Sequence, residues 1–285
     1  MDVLRLVSPA KVNLRLDVLY KRDDGYHEIR TILQRISLCD EVEISLKKGG
    51  IDISSEGIEC PQYTDNIAYH AAKMILDRLK GDTGVRILIK KKIPIASGLG
   101  GGSSNAAATL IGMNRILKLG LTKRELMDMG TQLGADVPFF ICQKPSLATG
   151  IGDRLKTIVL PSPMWMVLVN PKIRVSTAWA YESLNIGLTK KKNNISMLTP
   201  FIGISDVVDF LYNDLEAVTI KRFPEVQKIK EELIDKGAAG ALMSGSGPTV
   251  FGIFFHREMA EKAFHRLSIA CPDYSVFLTS NFGNN

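Results

Sequence analysis

The sequence predicts an α+β protein in two halves, residues 1–155 and 156–285. Three observations carry that expectation. Strand-like stretches come in runs with helical stretches between them. A glycine-rich run, Pro94-Ile95-Ala96-Ser97-Gly98-Leu99-Gly100-Gly101-Gly102-Ser103-Ser104-Asn105-Ala106-Ala107-Ala108, empties into an alanine-rich helix. A second glycine turn, Ser244-Gly245-Ser246-Gly247-Pro248, joins two apolar strands late in the chain.

The elements follow in order. Val12, Leu14, Leu16, Val18 and Tyr20 alternate with Asn13, Arg15 and Asp17, the pattern of a half-buried strand. Arg22-Asp23-Asp24-Gly25 turns it. Strands are expected over 28–38 and 41–46, then a helix over 66–80 from the spacing of Ile67, Ala71, Met74, Ile75 and Leu79. Residues 85–91 form a strand that leads into the glycine run, with a helix over 106–117. Thr122-Lys123-Arg124-Glu125 is a capping box that opens another helix. A softer region follows Asp136-Val137-Pro138. The second half begins with a strand at 165–169 and a helix from Ser176 to about residue 184, and 190–194 reads as a polar loop. Residues 224–236 form a helix with proline in its first turn and Gly237 beyond its end. Strands at 238–243 and 249–255, a helix over 258–268 and a last strand complete the chain.

The glycine run is the most informative segment. Glycine allows positive φ and close approach to bare amides. A helix that starts behind such a loop presents free N–H groups and the positive end of its dipole, which together bind anions. A phosphate is the expected guest. The run is not a P-loop, because no Gly-Lys-Ser/Thr ends it, and it is not a dinucleotide fingerprint, because Ser103 stands where a third glycine would be. A flexible linker would not sit between the apolar strand 85–89 and a helix.

Composition narrows the class. At 45% hydrophobic and 23% charged, the chain is ordinary globular material. No apolar run is long enough to span a bilayer, and the N-terminus has no signal-peptide pattern. Cys39, Cys60, Cys142 and Cys271 are scattered and read as reduced cytosolic thiols, so a cytoplasmic protein is expected. The four histidines have no metal-ligand spacing. The net charge of +6 comes without lysines interleaved with aromatics, which speaks against nucleic acid and fits steering of a small anion. The triplets Lys90-Lys91-Lys92 and Lys190-Lys191-Lys192 read as solvated surface.

Five segments now stand in order: Ser8-Pro9-Ala10-Lys11-Val12-Asn13-Leu14, Gly25-Tyr26-His27, Pro94 to Ala108, Gly134-Ala135-Asp136-Val137-Pro138-Phe139-Phe140, and Met243-Ser244-Gly245-Ser246-Gly247-Pro248-Thr249. This set resembles the GHMP kinases over nearly the whole chain, and its branch that serves isoprenoid precursor synthesis by the non-mevalonate route. The resemblance implies an N-terminal half like domain 2 of ribosomal protein S5, which binds ATP, and a ferredoxin-like C-terminal half. It implies ATP and Mg²⁺ as cofactors and, as substrate, an alcohol carried on a cytidine diphosphate group. Other small-molecule kinases of the family, acting on homoserine or mevalonate-pathway alcohols, stay open, as does a phosphate-binding protein without catalysis.

The same resemblance assigns residues. The glycine run from Pro94 to Ser104 would hold the nucleotide. Asp136 would take the proton of the acceptor hydroxyl, and without the resemblance it reads as a carboxylate that caps a turn. Lys11 would stand against Asp136, stabilise charge and hold the phosphate. A nearby cation keeps a carboxylate ionised, and a loose transition state asks little of the base. Asn13, Tyr26, His27 and Tyr181 would line the cytidine side. Ser104 is a Mg²⁺ contact or a helix N-cap, and Asn66 an adenine contact or an N-cap. One departure is Thr149, in Ala148-Thr149-Gly150-Ile151-Gly152-Asp153-Arg154, where the family often carries arginine. The oligomeric state stays open, a homodimer included.

Overall fold

A computed structural model describes residues 3–58, 65–79, 81–184 and 201–283. Cys60, the Lys190-Lys191-Lys192 triplet and the loop expected at 190–194 lie outside the described residues. The chain divides into two compact units. The first is Met1–Ala10, Leu38–Ile95 and Gly100–Gln143; the second is Lys11–Ser37, Ala96–Leu99 and Lys144–Asn285. Two long strands, β1 (Leu4–Lys21) and β2 (His27–Lys48), contribute residues to both.

In the first unit, β3 (Ile51–Gly57) pairs in parallel with β4 (Thr83–Lys91), and β4 pairs antiparallel with residues 41–48 of β2. The crossover between β3 and β4 is α1 (Ile67–Leu76), capped by Asn66. Val42, Ile44, Val85, Ile87 and Ile89 are buried on this sheet. The helices that share the unit are α2 (Gly101–Ile116), α3 (Lys123–Leu133) and α4 (Val137–Cys142). Gly112 allows α2 to lie close: a Cβ there would stand 2.5 Å from Ile44 Cδ1. The capping box at Thr122 is present in full.

In the second unit, β1 pairs in parallel with β8 (Tyr212–Asn213), and β2 pairs antiparallel with β5 (Ser146–Thr149), which pairs with β6 (Arg154–Thr157). A separate antiparallel sheet holds β7 (Trp165–Asn170), β9 (Gly240–Met243), β10 (Val250–Phe254) and β11 (Ser275–Ser280) in the order β11-β7-β10-β9. With α8 (Glu225–Asp235) before β9 and α9 (Arg257–Ala270) before β11, this is the ferredoxin-like arrangement. The faces Val226, Ile229, Leu233 and Ala260, Ala263, Leu267 pack on Val167, Val169, Val250 and Phe254. The remaining helices are α5 (Thr177–Glu182), capped by Ser176, α6 (Ile204–Asp209) and α7 (Asp214–Arg222).

Several expectations are corrected. The strand read as half-buried is buried on both faces from Lys11 to Val18, because its polar side chains bond to one another inside the protein. The strands at 28–38 and 41–46 are one strand of 22 residues. The helix of the glycine run starts at Gly101, so the glycines form its first turn. The region after Asp136 is the helix α4, whose wholly apolar sequence shows no amphipathic period. The Lys90 to Lys92 triplet is not all solvated: Lys91 is buried in an ion pair with Asp40. β3, β5, β6, α6, β8 and α7 had no reading at all.

Candidate phosphoryl-transfer site

The second unit brings three of the five segments together. Lys11 Nζ donates to Asn13 Oδ1 at 2.6 Å, and Asn13 Nδ2 donates to Thr31 Oγ1 at 2.8 Å. Thr31 in turn donates to the Arg15 carbonyl at 2.6 Å. Both ends of the Asn13 amide are thus engaged inside the protein, where it aims Lys11. Lys11 and Asn13 are each 4% exposed, so the ammonium sits in a medium where charge acts strongly. The Lys11 amide donates to the Leu99 carbonyl at 2.9 Å, which ties the strand to the glycine run. Ser244 Oγ accepts from the Asn13 amide at 3.3 Å and donates to the Gly98 carbonyl at 3.0 Å.

Gly98 is required where it stands. Its φ is +78°, and a Cβ there would lie 2.1 Å from the Ser244 carbonyl oxygen. On the other side of that turn, Asn213 Nδ2 donates to the carbonyls of Met243 and Gly245 at 2.8 and 2.7 Å. Thr249 donates its amide to the Ser97 carbonyl at 3.3 Å. Ala96, unusually for a residue with a Cβ, has φ +51°. The start of the glycine run is therefore held by the late glycine turn.

The cytidine-side residues divide. His27 and Tyr181 stack with ring centroids 5.1 Å apart and planes at 28°. Burial, with the Lys21 charge adding to it, pulls the His27 pKa below its ordinary 6.5 and favours the neutral ring. Tyr26 is exposed, with its amide bonded to Asp24 Oδ1 at 3.1 Å. Next along β1, Arg15 pairs with Asp17 through two 2.8 Å bonds, and its guanidinium lies 4.6 and 5.1 Å from the ring centroids of Phe210 and Tyr212. Thr149 ends β5, at the turn into β6.

The first unit holds the rest. Gly100, with φ +69°, is the N-cap of α2 and has no side chain to cover the first-turn amides. Those amides have no partner within the helix, so the loop suits an anion. Ser104 is not the N-cap; it lies in the helix, buried, and its Oγ accepts from Ser8 Oγ at 2.9 Å. Asn66 caps α1, its Oδ1 accepting from the Ala68 amide at 3.0 Å. Asp136 precedes α4 at the N-cap position, and its side chain makes no cap bond. It is half-buried. Pro94 and Ile95 end this unit's part of the loop, Ile95 being 39% exposed.

Sequence reasoning missed Thr31, Asn213, Ser8, Asp40 and Lys91. Ser8 lay inside a quoted segment and Lys91 inside a triplet that reads as solvated surface, but nothing local marked Thr31, Asn213 or Asp40. Among the described residues no three His, Cys, Asp or Glu side chains could together hold a metal, and no helix is long and apolar enough to cross a membrane. Cys39, Cys142 and Cys271 are not joined in disulfides.

Comparison with known proteins adds a second line. The GHMP kinases N terminal domain matches residues 66–144, and the GHMP kinases C terminal domain matches 201–273. Proteins called 4-diphosphocytidyl-2-C-methyl-D-erythritol kinase from Syntrophus aciditrophicus and Geobacter metallireducens are 49% and 51% identical to this chain, each over 92% of it and 93% of their own length. A crystal structure of 4-(cytidine 5'-diphospho)-2C-methyl-D-erythritol kinase superposes with a TM-score of 0.81 at 31% identity, covering 98% of this chain and all of that one. Homoserine kinase from Cytophaga hutchinsonii, at 19% identity and a TM-score of 0.72, shares the fold. With both family domains matched in order and half of the residues shared with full-length relatives, this chain belongs to the GHMP kinase family.

Proposed function

We propose that this chain transfers the γ-phosphoryl group of ATP to the 2-hydroxyl of 4-diphosphocytidyl-2-C-methyl-D-erythritol, giving the 2-phosphate and ADP, in the non-mevalonate route to isoprenoid precursors. One observation carries the reading: relatives about half identical over 92–94% of the chain bear that substrate in their names. The buried Lys11, aimed by Asn13 beside the Gly98 turn, supports it.

Phosphoryl transfer is mostly positioning and charge stabilisation. The amides at Gly100 to Ser103 hold the phosphate tail, with the α2 dipole behind them. Lys11 stabilises charge on the transferring group, and Asn13 keeps it aimed. Asp136 accepts the proton of the acceptor hydroxyl. The Tyr181 ring takes the face of the cytosine, and a neutral His27 offers one donor and one acceptor to its edge. Asn66 serves the adenine from the start of α1. Mg²⁺, when bound with ATP, neutralises phosphate charge. The side chains present fit an ion carried mainly by the nucleotide, to which Ser104 Oγ would offer a hydroxyl. The reaction takes place in the cytoplasm.

The test is a substrate panel. With MgATP, the cytidine-linked alcohol should yield ADP, homoserine and mevalonate should not, and CMP should inhibit competitively against the alcohol. Turnover of homoserine or mevalonate, or indifference to CMP, would overturn the reading.

A further inference from the structure

We propose that Asp40 is a positioning residue that clamps both stems of the phosphate loop, so that nucleotide affinity depends on a side chain far from the nucleotide in sequence. The proposal rests on the reading that the amides after Gly98 hold the phosphates.

Asp40 is 1% exposed and lies within β2. Its Oδ1 accepts from the amides of Lys92 at 2.7 Å and Ile93 at 2.9 Å, the last residues before the loop. Its Oδ2 accepts from Asn105 Nδ2 at 2.9 Å, just after the loop, and from Lys91 Nζ. A carboxylate has about four acceptor positions, and all are filled. One group thus holds the chain where it enters the loop and where it leaves.

The same group sets the direction of the bonds beyond it. A carboxylate only accepts, so Asn105 must present its NH₂ to Asp40. The second hydrogen of that NH₂ goes to Ser8 Oγ at 2.8 Å, and Ser8 then donates to Ser104 Oγ at 2.9 Å. Ser104 therefore receives a bond on one side and keeps its own hydrogen for another partner. Lys91 Nζ lies 2.8 Å from where a Cβ on Gly101 would stand, directly under the first turn of α2. A cation there opposes the helix dipole, and Asp40 offsets it. Displacing reacting groups by about 1 Å can cost a hundredfold in rate, so loose stems would blunt the loop.

Two variants test this, Asp40→Asn and Asn105→Leu. The first turns an acceptor into a donor that faces donors. The second frees the outgoing stem from Asp40, and with it the Asn105–Ser8 bond, and keeps the Asp40–Lys91 pair. The readouts are MgADP affinity by titration calorimetry, KM for ATP, KM for the alcohol and melting temperature. Asp40→Asn should weaken MgADP and raise KM for ATP by about tenfold or more, and Asn105→Leu by about three- to fivefold, with KM for the alcohol within about twofold of wild type. If Asp40→Asn does not fold, Asn105→Leu decides alone. A folded Asn105→Leu protein with wild-type MgADP affinity, or with both KM values raised together, overturns the clamp. A wild-type protein that does not bind MgADP would remove the kinase reading and the clamp with it.

Discussion

Two parts of one glycine run are fixed by opposite means. Residues 96–99, in the second unit, are held by closeness: Gly98 meets the Ser244 carbonyl where no Cβ fits, and Ser244 returns a hydroxyl bond to the Gly98 carbonyl. Residues 94, 95 and 100–104, in the first unit, have their stems held by charge: a saturated carboxylate bonds to Lys92, Ile93 and Asn105. A contact built on closeness fails when volume is added. A contact built on a buried ion pair fails when charge is removed, because an unpaired buried ion costs several kcal/mol. Neither means performs the chemistry, and that separation can be tested.

The largest effect should come from the acid. Asp136→Ala is expected to cut kcat by about 10²- to 10⁴-fold, while MgADP affinity and melting temperature stay at wild-type values. Steady-state kinetics beside calorimetry would show it, and a parallel loss of nucleotide binding would mean that Asp136 supports the loop instead. Next comes added volume. Gly98→Ala should lower stability by about 2–4 kcal/mol in urea unfolding, from left-handed strain and the backbone it strikes. Gly25→Ala is the control, since Gly25 also has positive φ (+86°) but nothing stands within 4 Å of its would-be Cβ. It should cost only about 1–2 kcal/mol. Equal losses at both positions would mean that strain alone, not the Ser244 approach, explains Gly98.

Smaller effects belong to the cytidine side. Tyr181→Ala should raise KM for the alcohol by about 5- to 160-fold, the worth of one base stack at roughly 1–3 kcal/mol, and leave KM for ATP unchanged. The smallest is a pH effect at His27. Its folded pKa lies below the ordinary 6.5, so its share of stability is full above 6.5 and is lost as pH falls through the lower folded value. Inhibition by cytidine, which carries no phosphate that titrates at about pH 6, should be flat from about pH 8 down to 6.5 and weaken only below that. Weakening that begins above 6.5 would contradict the burial argument.

What could be read from the sequence was what is local. The glycine run, the Thr122 capping box, the Ser176 cap and the late glycine turn each declare themselves within a few residues. Asn13 and Ser244, 231 positions apart, meet only because the sheets fold as they do. Asp40 gave no signal, since an acid beside Glu41 and Glu43 reads as surface; those two do take up the partly exposed Lys90, while Asp40 takes the buried Lys91. The alternation of β1 correctly separated an apolar face from a polar one. It could not show that the polar face is also buried: Lys11 and Arg15 are satisfied by Asn13 and Asp17 two residues on, but the groups that cover the face, Thr31, Phe210 and Tyr212 among them, are distant in sequence.

The most direct measurement follows phosphorus. Purified protein, MgATP and 4-diphosphocytidyl-2-C-methyl-D-erythritol would be incubated and read by ³¹P NMR. The account predicts ADP and, in equal amount, a new phosphate monoester on the 2-oxygen of the substrate. Folded protein that forms no ADP, or that forms ADP with inorganic phosphate alone, would contradict it.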